Sequence, residues 1–173
     1  STRLVRAKEI LGMEHVEADR LSVVVEEITD LKEVWRSLVE PWEKLQALGE
    51  TAWNAVMPRK VRAALDDILQ SLRDLPTHVR QYAAYEHISR RLKSLAKANV
   101  LLVDLRSQAM KERHWELLGQ RLGVRWLMSE MTLSSVWESD LEANEGTFKE
   151  VIAMAQGELG LEEFLKQIRE HWQ

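Results

Sequence analysis

Between residues 21 and 45, large apolar side chains recur at alternating steps of three and four residues. The series is Leu21, Val24, Ile28, Leu31, Trp35, Leu38, Trp42 and Leu45. Such a heptad pattern is typical of a helix that buries one seam against partner helices. The same register extends upstream to Leu4, so the pattern predicts a helix over residues 3–39, roughly 55 Å long at a rise of about 1.5 Å per residue. Pro41 lacks an N–H group and should end or kink this helix.

Few glycine and proline residues interrupt the chain. Its 173 residues contain 7 glycines and 3 prolines, which leaves little turn material for many short strands. Apolar stripes at helical spacing predict further helices at residues 42–56, 58–75, 77–108, 109–121, 135–145, 148–159 and 161–172. Ser135 and Glu138 form a capping-box pattern at the start of one, and Gly157–Gly160 predicts a break or a kink between the last two. The sequence therefore predicts an all-α fold, an elongated helical bundle or rod of long antiparallel helices.

The charge and the absence of cysteine exclude several classes of function. The net charge of -4 and the pI of 5.8 are unlike those of proteins that bind nucleic acid or anionic membranes. With no cysteine, disulfides, thiolate catalysis and cysteine-based zinc sites are excluded. The longest apolar run, Val151–Ala155, is far shorter than the roughly 20 residues of a membrane-spanning helix. We expect neither nucleic acid nor a membrane as a partner.

His114 is the residue that most resembles a catalytic group. It follows Arg113 and precedes Trp115, and on a helix it shares a face with apolar residues. Glu112 lies roughly opposite and cannot orient the imidazole, while Arg113 and Glu116 are spaced for an exposed ion pair. A general base needs a group that holds it in position, and none is implied within this window. The pattern favours a packed histidine, with an interface role and an acid–base role as alternatives.

The sequence contains no recognisable metal or phosphate motif. Its five histidines are scattered without an HExxH pair, and the glycines at 157 and 160 are not followed by the Lys-Ser/Thr pair of a P-loop. We therefore expect no catalytic residue, no cofactor-binding residue and no metal site within this chain.

The strongest electropositive stretch comprises Arg90, Arg91, Lys93 and Lys97. The apolar residues within it are spaced to face inward, so the pattern favours the solvated side of an amphipathic helix. A contact with an acidic partner surface is the alternative.

Tryptophan is unusually frequent, with 7 residues beside 2 phenylalanines and 2 tyrosines. Trp35 and Trp42 belong to the heptad seam, whereas Trp115 and Trp137 fall near predicted helix junctions. Because an indole buries a large area, these residues favour packed joints between helices over an aromatic binding groove.

Three stretches of the sequence resemble a known family when they are taken in order. They are AMKERHW at 109–115, LSSVWESDL at 133–141 and AQGELGLEEFLKQIR at 155–169. Together they resemble dynein heavy chains where the tail enters the linker, and the third stretch is more similar to cytoplasmic than to axonemal members. Gly160 departs from the alanine expected there. The positions that match the signature, taken as structural positions, are Trp35, Trp42, Arg113, His114, Trp115, Trp137, Asp140, Leu141 and Glu158.

The resemblance implies a mechanical role. In dyneins an AAA+ ring hydrolyses ATP with magnesium, and the helical linker swings across the ring to drive movement toward microtubule minus ends. The segment itself would then be non-catalytic, with a helical bundle at the tail/linker root in residues 1–108 and the start of the linker in 109–173. The ends of the sequence lie within helical periodicity, and the first residue is not methionine, so we expect a piece of a longer polypeptide.

The resemblance also implies partners and a location. The partners would be the rest of the heavy chain, and possible additions are dynein intermediate or light chains and dynactin-type adaptors. Microtubules would be reached through the parent motor, in the cytoplasm and cytoskeleton. A scaffold module that binds dynein subunits, adaptors or a regulator through the basic stretch is the alternative function.

Overall fold

The computed structural model describes residues 2–172, with side chains described from residue 20 onward. Within that range the helices are α1 Thr2–Gly49, α2 Pro58–Arg73, α3 Thr77–Arg80, α4 Ala83–Leu105, α5 Glu112–Leu122, α6 Leu133–Trp137 and α7 Glu145–His171. A 3-10 turn, Trp53–Ala55, precedes α2, and these residues include no β-strand. The predicted all-α class is confirmed. The upstream seam position Leu4 lies outside the described side chains.

The chain divides into two compact units, residues 1–40 and 41–173. Of the helices, α1 has residues in the first unit, and α2 to α7 belong to the second. The functional boundary expected between residues 108 and 109, from tail root to linker, stays a prediction. The structural division falls elsewhere, between 40 and 41.

Helix α1 continues through Pro41 to Gly49. Of the two outcomes expected at Pro41, an end of the helix is therefore wrong, and so is the separate helix over 42–56, whereas a kink stays a prediction. An interior proline costs about 3 kcal/mol, but it does not forbid a helix. The residues that follow are strong helix formers, and the burial of Leu45 stabilises this last part of α1.

The buried face of α1 coincides with only part of the predicted seam, since Leu38 and Leu45 are buried but the members of the series that precede Trp35 are exposed. Val34, Leu38 and Leu45 are buried, whereas Trp35 and Trp42 are 60% and 38% exposed. The prediction that both tryptophans lie in a buried seam is wrong. A straight α-helix has 3.6 residues per turn, so a strict seven-residue series drifts around the axis and only part of it can face one side.

Helices α2 and α4 form an antiparallel pair. The Asn99 side-chain amide donates to the Pro58 carbonyl at 3.2 Å, and Arg62 donates to the Ala96 carbonyl at 2.9 Å. Both contacts join the start of one helix to the later part of the other. The apolar side chains that these two helices bury include Val61, Leu65, Ile68, Leu72, Leu92, Leu95, Leu102 and Leu105. This core supports the helices that carry the candidate site.

The long helix predicted over 77–108 is interrupted. The short turn α3 buries Val79, and Tyr82 is extended at φ -80° and ψ 142° before α4 begins. The prediction of one continuous helix is therefore wrong. The expected bend before residue 109 is confirmed, because α4 ends at Leu105 and α5 begins at Glu112.

Helix α5 ends where glycine allows a left-handed residue. Gly123 has φ 68°, and the Val124 N–H donates to the Gly119 carbonyl at 2.9 Å while the Gly123 N–H donates to Gln120. These two bonds form a Schellman motif, which satisfies carbonyls left over at the end of the helix. The predicted stop at Gly123 is confirmed.

Helix α6 is shorter and begins earlier than predicted. Thr132 caps it, since the Ser135 N–H donates to Thr132 Oγ1 at 3.3 Å and the Thr132 N–H donates to Ser135 Oγ at 3.1 Å. The predicted box of Ser135 with Glu138, and the helix over 135–145, are wrong. Ser135 serves as the third helical residue of a box that starts at Thr132, so its hydroxyl reaches backward along the chain.

Helix α7 runs without a break across Gly157 and Gly160. The predicted break is wrong, because an interior glycine lowers helix stability by about 1 kcal/mol without removing a backbone hydrogen bond. The first half of α7 buries Phe148, Val151 and Ile152. No helix within residues 2–172 is long and apolar enough to cross a membrane.

Candidate functional site

His114 lies at the third position of α5 and is only 2% exposed. Its Nδ1 accepts a hydrogen bond from the Lys111 backbone N–H at 3.0 Å. Its Nε2 lies 3.1 Å from Oε2 of Glu158 on α7. Because Nδ1 accepts, the hydrogen bonding assigns the proton to Nε2, which donates to the carboxylate. Both ring nitrogens are engaged, so neither is available to take a proton from a substrate.

The group that orients His114 comes from a distant part of the chain. Glu158 is 44 residues away in sequence, outside the window that surrounds the histidine. Arg113 also pairs with Glu158. The prediction that its ion-pair partner is Glu116 is therefore wrong. The signal in the sequence was the spacing of Glu158 and Glu162, which places two carboxylates on one helical face. Their partner helix was not readable from that spacing.

We name these five residues, Lys111, Arg113, His114, Glu158 and Glu162, the ionic cluster. Lys111 Nζ lies 2.5 Å from Glu162 Oε2, and Arg113 Nε donates to Glu158 Oε2 at 3.0 Å. A second Arg113 nitrogen contacts the same Glu158 oxygen and lies 3.6 Å from Glu162 Oε1. The cluster joins the start of α5 to the later half of α7.

The charges of the ionic cluster stabilise one another. The hydrogen bond from Arg113 holds the pKa of Glu158 below its ordinary value, and the bond from Lys111 does the same to the pKa of Glu162. In return, Glu158 raises the pKa of Arg113. The side chains of Glu158, Glu162 and Arg113 are therefore charged near neutral pH. Such an arrangement fastens two helices together and leaves no group poised for proton transfer.

A second tie joins the same two helices. Arg121, near the end of α5, lies 2.8 Å from Glu150, near the start of α7. Together with the ionic cluster at the opposite ends, this pair shows that α5 and α7 are antiparallel.

Three indoles pack where α5 meets the loops before α2 and α6. The ring centroids of Trp53 and Trp115 lie 5.1 Å apart, and those of Trp115 and Trp126 lie 5.6 Å apart, both edge to face. The Arg106 guanidinium lies 5.6 Å from the Trp53 centroid and donates to the Val56 carbonyl at 3.1 Å. We call Trp53, Trp115 and Trp126 the tryptophan cluster. Edge-to-face pairs fix the relative orientation of the segments that carry them.

A backbone bridge lies beside the tryptophan cluster. The Trp53 N–H donates to the Met131 carbonyl at 2.8 Å, and the Leu133 N–H donates to Thr51 at 2.9 Å. The segments before α2 and α6 are thus tied through the main chain as well as through the indoles.

The structure brings three signature positions together and places the others apart from them. Arg113, His114 and Glu158 meet in the ionic cluster, and Trp115 belongs to the tryptophan cluster beside it. Trp137 and Leu141 are buried in or after α6, and Asp140 has φ 51° and accepts the Ala143 N–H at 3.2 Å. Trp35 and Trp42 lie on the exposed side of α1. The predicted signature positions did not include Lys111, Glu162, Arg106 or Trp53.

The basic stretch is partly neutralised within the fold. Arg90 pairs with Glu86 at 2.6 Å, and Lys97 pairs with Glu142 at 3.1 Å. The bond to Glu142 raises the pKa of Lys97. Arg91 and Lys93 are exposed and make no ion pair with the residues that the structure describes. Within the basic stretch, these two residues therefore present positive charges that no ion pair within the described fold neutralises, and a partner could contact them.

An open pocket of 430 Å³ lies beside the tryptophan cluster, lined by residues of α5 and the following loop. Its lining includes Trp115, Glu116, Gly119, Arg125 and Trp126, and it contains no histidine, serine or threonine.

The described side chains, residues 20–172, include no group of three or more acidic or histidine residues that could hold a metal ion.

These features define a class of protein, an all-α chain whose helices are joined by ion pairs and packed indoles. A family model described as dynein heavy chain, N-terminal region 2, matches residues 21–173. The chain therefore belongs to the dynein heavy chain family, and it corresponds to the N-terminal part of such chains.

Individual relatives agree with this family. The chain is 48% identical over 178 residues to the cytoplasmic dynein heavy chain of Dictyostelium discoideum, covering 99% of this chain and 4% of that protein. It is 42% identical over 175 residues to the cytoplasmic dynein heavy chain of Drosophila melanogaster, covering 98% of this chain and 4% of that one. The corresponding protein of Neurospora crassa is 43% identical over 174 residues, with coverage of 99% and 4%. The chain thus spans a small part of the length of these relatives.

Proposed function

We propose that this segment is a non-catalytic tail-to-linker element of a cytoplasmic dynein heavy chain. It transmits force from an ATP-driven AAA+ ring to a cargo-bound tail during movement toward microtubule minus ends. ATP and magnesium act in the ring of the parent chain, and microtubules are engaged through the parent motor. The protein works in the cytoplasm, on the cytoskeleton.

The engaged state of His114 carries this proposal. Both imidazole nitrogens are used in fastening α5 to its own first turn and to Glu158. A catalytic histidine needs one nitrogen that can reach a substrate, and here both nitrogens bond within the fold and help to fasten α5 to α7. The tryptophan cluster supports the same role, since edge-to-face indoles resist relative rotation of the segments that they join.

Loosening the tryptophan cluster within a full heavy chain tests force transmission. Trp115→Ala removes the central indole, which packs against both Trp53 and Trp126. We expect microtubule gliding to slow while the microtubule-stimulated ATPase rate per motor is retained. The double reversal Arg91→Glu and Lys93→Glu is the control, because it alters exposed charge and leaves the joint intact. Equal loss of ATPase and gliding with Trp115→Ala would contradict the proposal.

The alternative function is a scaffold that binds dynein intermediate or light chains, adaptors or a regulator. The exposed charges of Arg91 and Lys93 favour it. In a pull-down with the full heavy chain as bait, the double charge reversal would then lose a co-purifying subunit. A strut that only transmits force retains its subunits in that experiment, so the two proposals give opposite results.

A further inference from the structure

The apolar packing of α7 stops halfway along the helix. Phe148, Val151, Ile152 and Ala155 are buried, but none of the side chains from 156 to 172 is. Leu159 is half-buried, and the exposed fraction reaches 86% at Trp172. Beyond residue 155, apolar burial therefore contributes little to holding α7 against the other helices of its unit.

Two glycines lie just where this packing ends. A Cβ atom placed on Gly157 or on Gly160 would meet nothing within 4 Å. Neither glycine is therefore required by the close approach of another segment. Glycine destabilises a helix relative to alanine because it loses more backbone entropy on folding. The helix is intrinsically weakest at the point where its tertiary support disappears.

The ionic cluster spans the same short stretch. Glu158 lies between the two glycines and binds Arg113 and His114, while Glu162 follows them and binds Lys111. These contacts hold both sides of Gly160 against the start of α5. The carboxylates are partly exposed, so dissolved salt can screen their attraction to Lys111 and Arg113.

We propose that Gly157–Gly160 is a flexure in α7 and that the ionic cluster holds it straight. When the cluster loses its charges, or when salt screens them, residues 161–171 bend relative to the packed part of the helix. The device is a property of this chain's own unit and operates whether or not the segment transmits force.

Spin-label distances test the flexure, because the chain has no cysteine of its own. Labels on Gln120→Cys and Gln167→Cys report the position of the end of α7 relative to α5. Because Arg121 pairs with Glu150, a label on residue 120 lies near the level of Glu150 along α7. The axis of α7 rises about 25 Å from Glu150 to residue 167, and a separation of that size suits pulsed dipolar spectroscopy. A second pair, Ala63→Cys and Gln120→Cys, lies within the packed part of the unit and serves as the reference.

The double substitution Glu158→Gln and Glu162→Gln removes the negative charges of the ionic cluster while preserving side-chain shape. We call this protein the released variant. We expect the distribution between Gln120 and Gln167 to broaden toward shorter distances while the reference pair stays unchanged. High salt in the unmodified background should broaden it in the same way. The matched control is Glu130→Gln with Glu163→Gln, two exposed carboxylates that make no ion pair within the described residues; it should leave the distribution narrow.

Alanine at both glycines locates the bend. Adding Gly157→Ala and Gly160→Ala to the released variant should restore a narrow distribution, since alanine stiffens the helix without a steric clash. The proposal is overturned if the released variant keeps a narrow distribution. It is equally overturned if the broadening persists with both alanines, because α7 would then detach as a whole or bend elsewhere.

Discussion

Each hydrogen-bonding atom of the His114 ring has a partner within the fold. The Lys111 N–H would otherwise be an unpaired donor in the first turn of α5, and the imidazole satisfies it. The second ring nitrogen, Nε2, donates a hydrogen bond to Glu158, which also accepts one from Arg113. One side chain thus caps a helix and joins it to another, which is why a histidine in this position stabilises the fold and has no ring nitrogen left for a substrate.

His114→Ala should lower the free energy of unfolding by about 2–4 kcal/mol, because it leaves a cavity and an unpaired Lys111 N–H. Chemical denaturation followed by circular dichroism measures the change. The matched control is His87→Ala on the exposed side of α4, where we expect a change within about 0.5 kcal/mol. Equal effects of the two substitutions would mean that the hydrogen bonds of His114 contribute nothing.

The ionic cluster should make stability depend on acid pH. Because the pKa values of Glu158 and Glu162 are lowered from their ordinary value of 4.5 in the folded chain, their stabilisation is present above that value. It is lost as the pH falls through the lowered values. The unmodified chain should melt at a higher temperature than Glu158→Gln with Glu162→Gln at pH 7, and the difference should shrink as the pH falls below 4.5. A gap that is constant across this range would refute the assignment.

At the scale of single elements, the end of α5 depends on close backbone approach. A Cβ atom on Gly119 would lie 2.6 Å from the Val124 carbonyl oxygen, which belongs to the main chain and cannot rotate away. The same two residues share the hydrogen bond that ends the helix. The loop after α5, which carries Trp126 into the tryptophan cluster, therefore starts from a geometry that only glycine permits at residue 119.

Two glycine substitutions should act in opposite directions. Gly119→Ala should destabilise the chain by about 1–3 kcal/mol through the clash with Val124. Gly160→Ala should stabilise it by about 0.5–1 kcal/mol, because the site is an open helix interior. Thermal and chemical unfolding of both variants checks the sign. If Gly119→Ala were neutral, the close approach at the end of α5 would be wrong.

At the scale of the whole molecule, helical residues differ greatly in tertiary support. Residues 20–33 of α1 and 161–171 of α7 are exposed throughout, whereas α4 buries much of one face. A helix with exposed side chains on every face is held mainly by its local hydrogen bonds, and those open more easily than bonds supported by a packed core.

Hydrogen exchange should report this difference. We expect amides in 20–33 and 161–171 to exchange much faster than those in 92–105, although all three stretches are helical. Mass spectrometry of peptides from the three regions measures the rates in one experiment. Comparable protection in all of them would show that the exposed stretches gain support that their side-chain exposure does not reveal.

Local features of the sequence were sufficient for the helical class and for several helix ends. Propensity, apolar periodicity and the special backbone of Gly123 act over a few neighbouring residues, so they can be read directly. The stop of α5 was predicted for that reason. Local signals were misleading at Pro41 and at Gly157–Gly160, where each residue weakens a helix by an amount that the flanking turns can offset.

Only the tertiary structure decided which faces are buried and which charges meet. Trp35 and Trp42 fit the same heptad series as Leu38 and Leu45, yet the two leucines are buried and the two tryptophans are exposed. Glu158 reaches His114 across 44 residues of intervening chain, because α5 and α7 pack side by side in opposite directions. A sequence determines local conformation through interactions between near neighbours, but pairing between distant segments depends on how all the helices share one core.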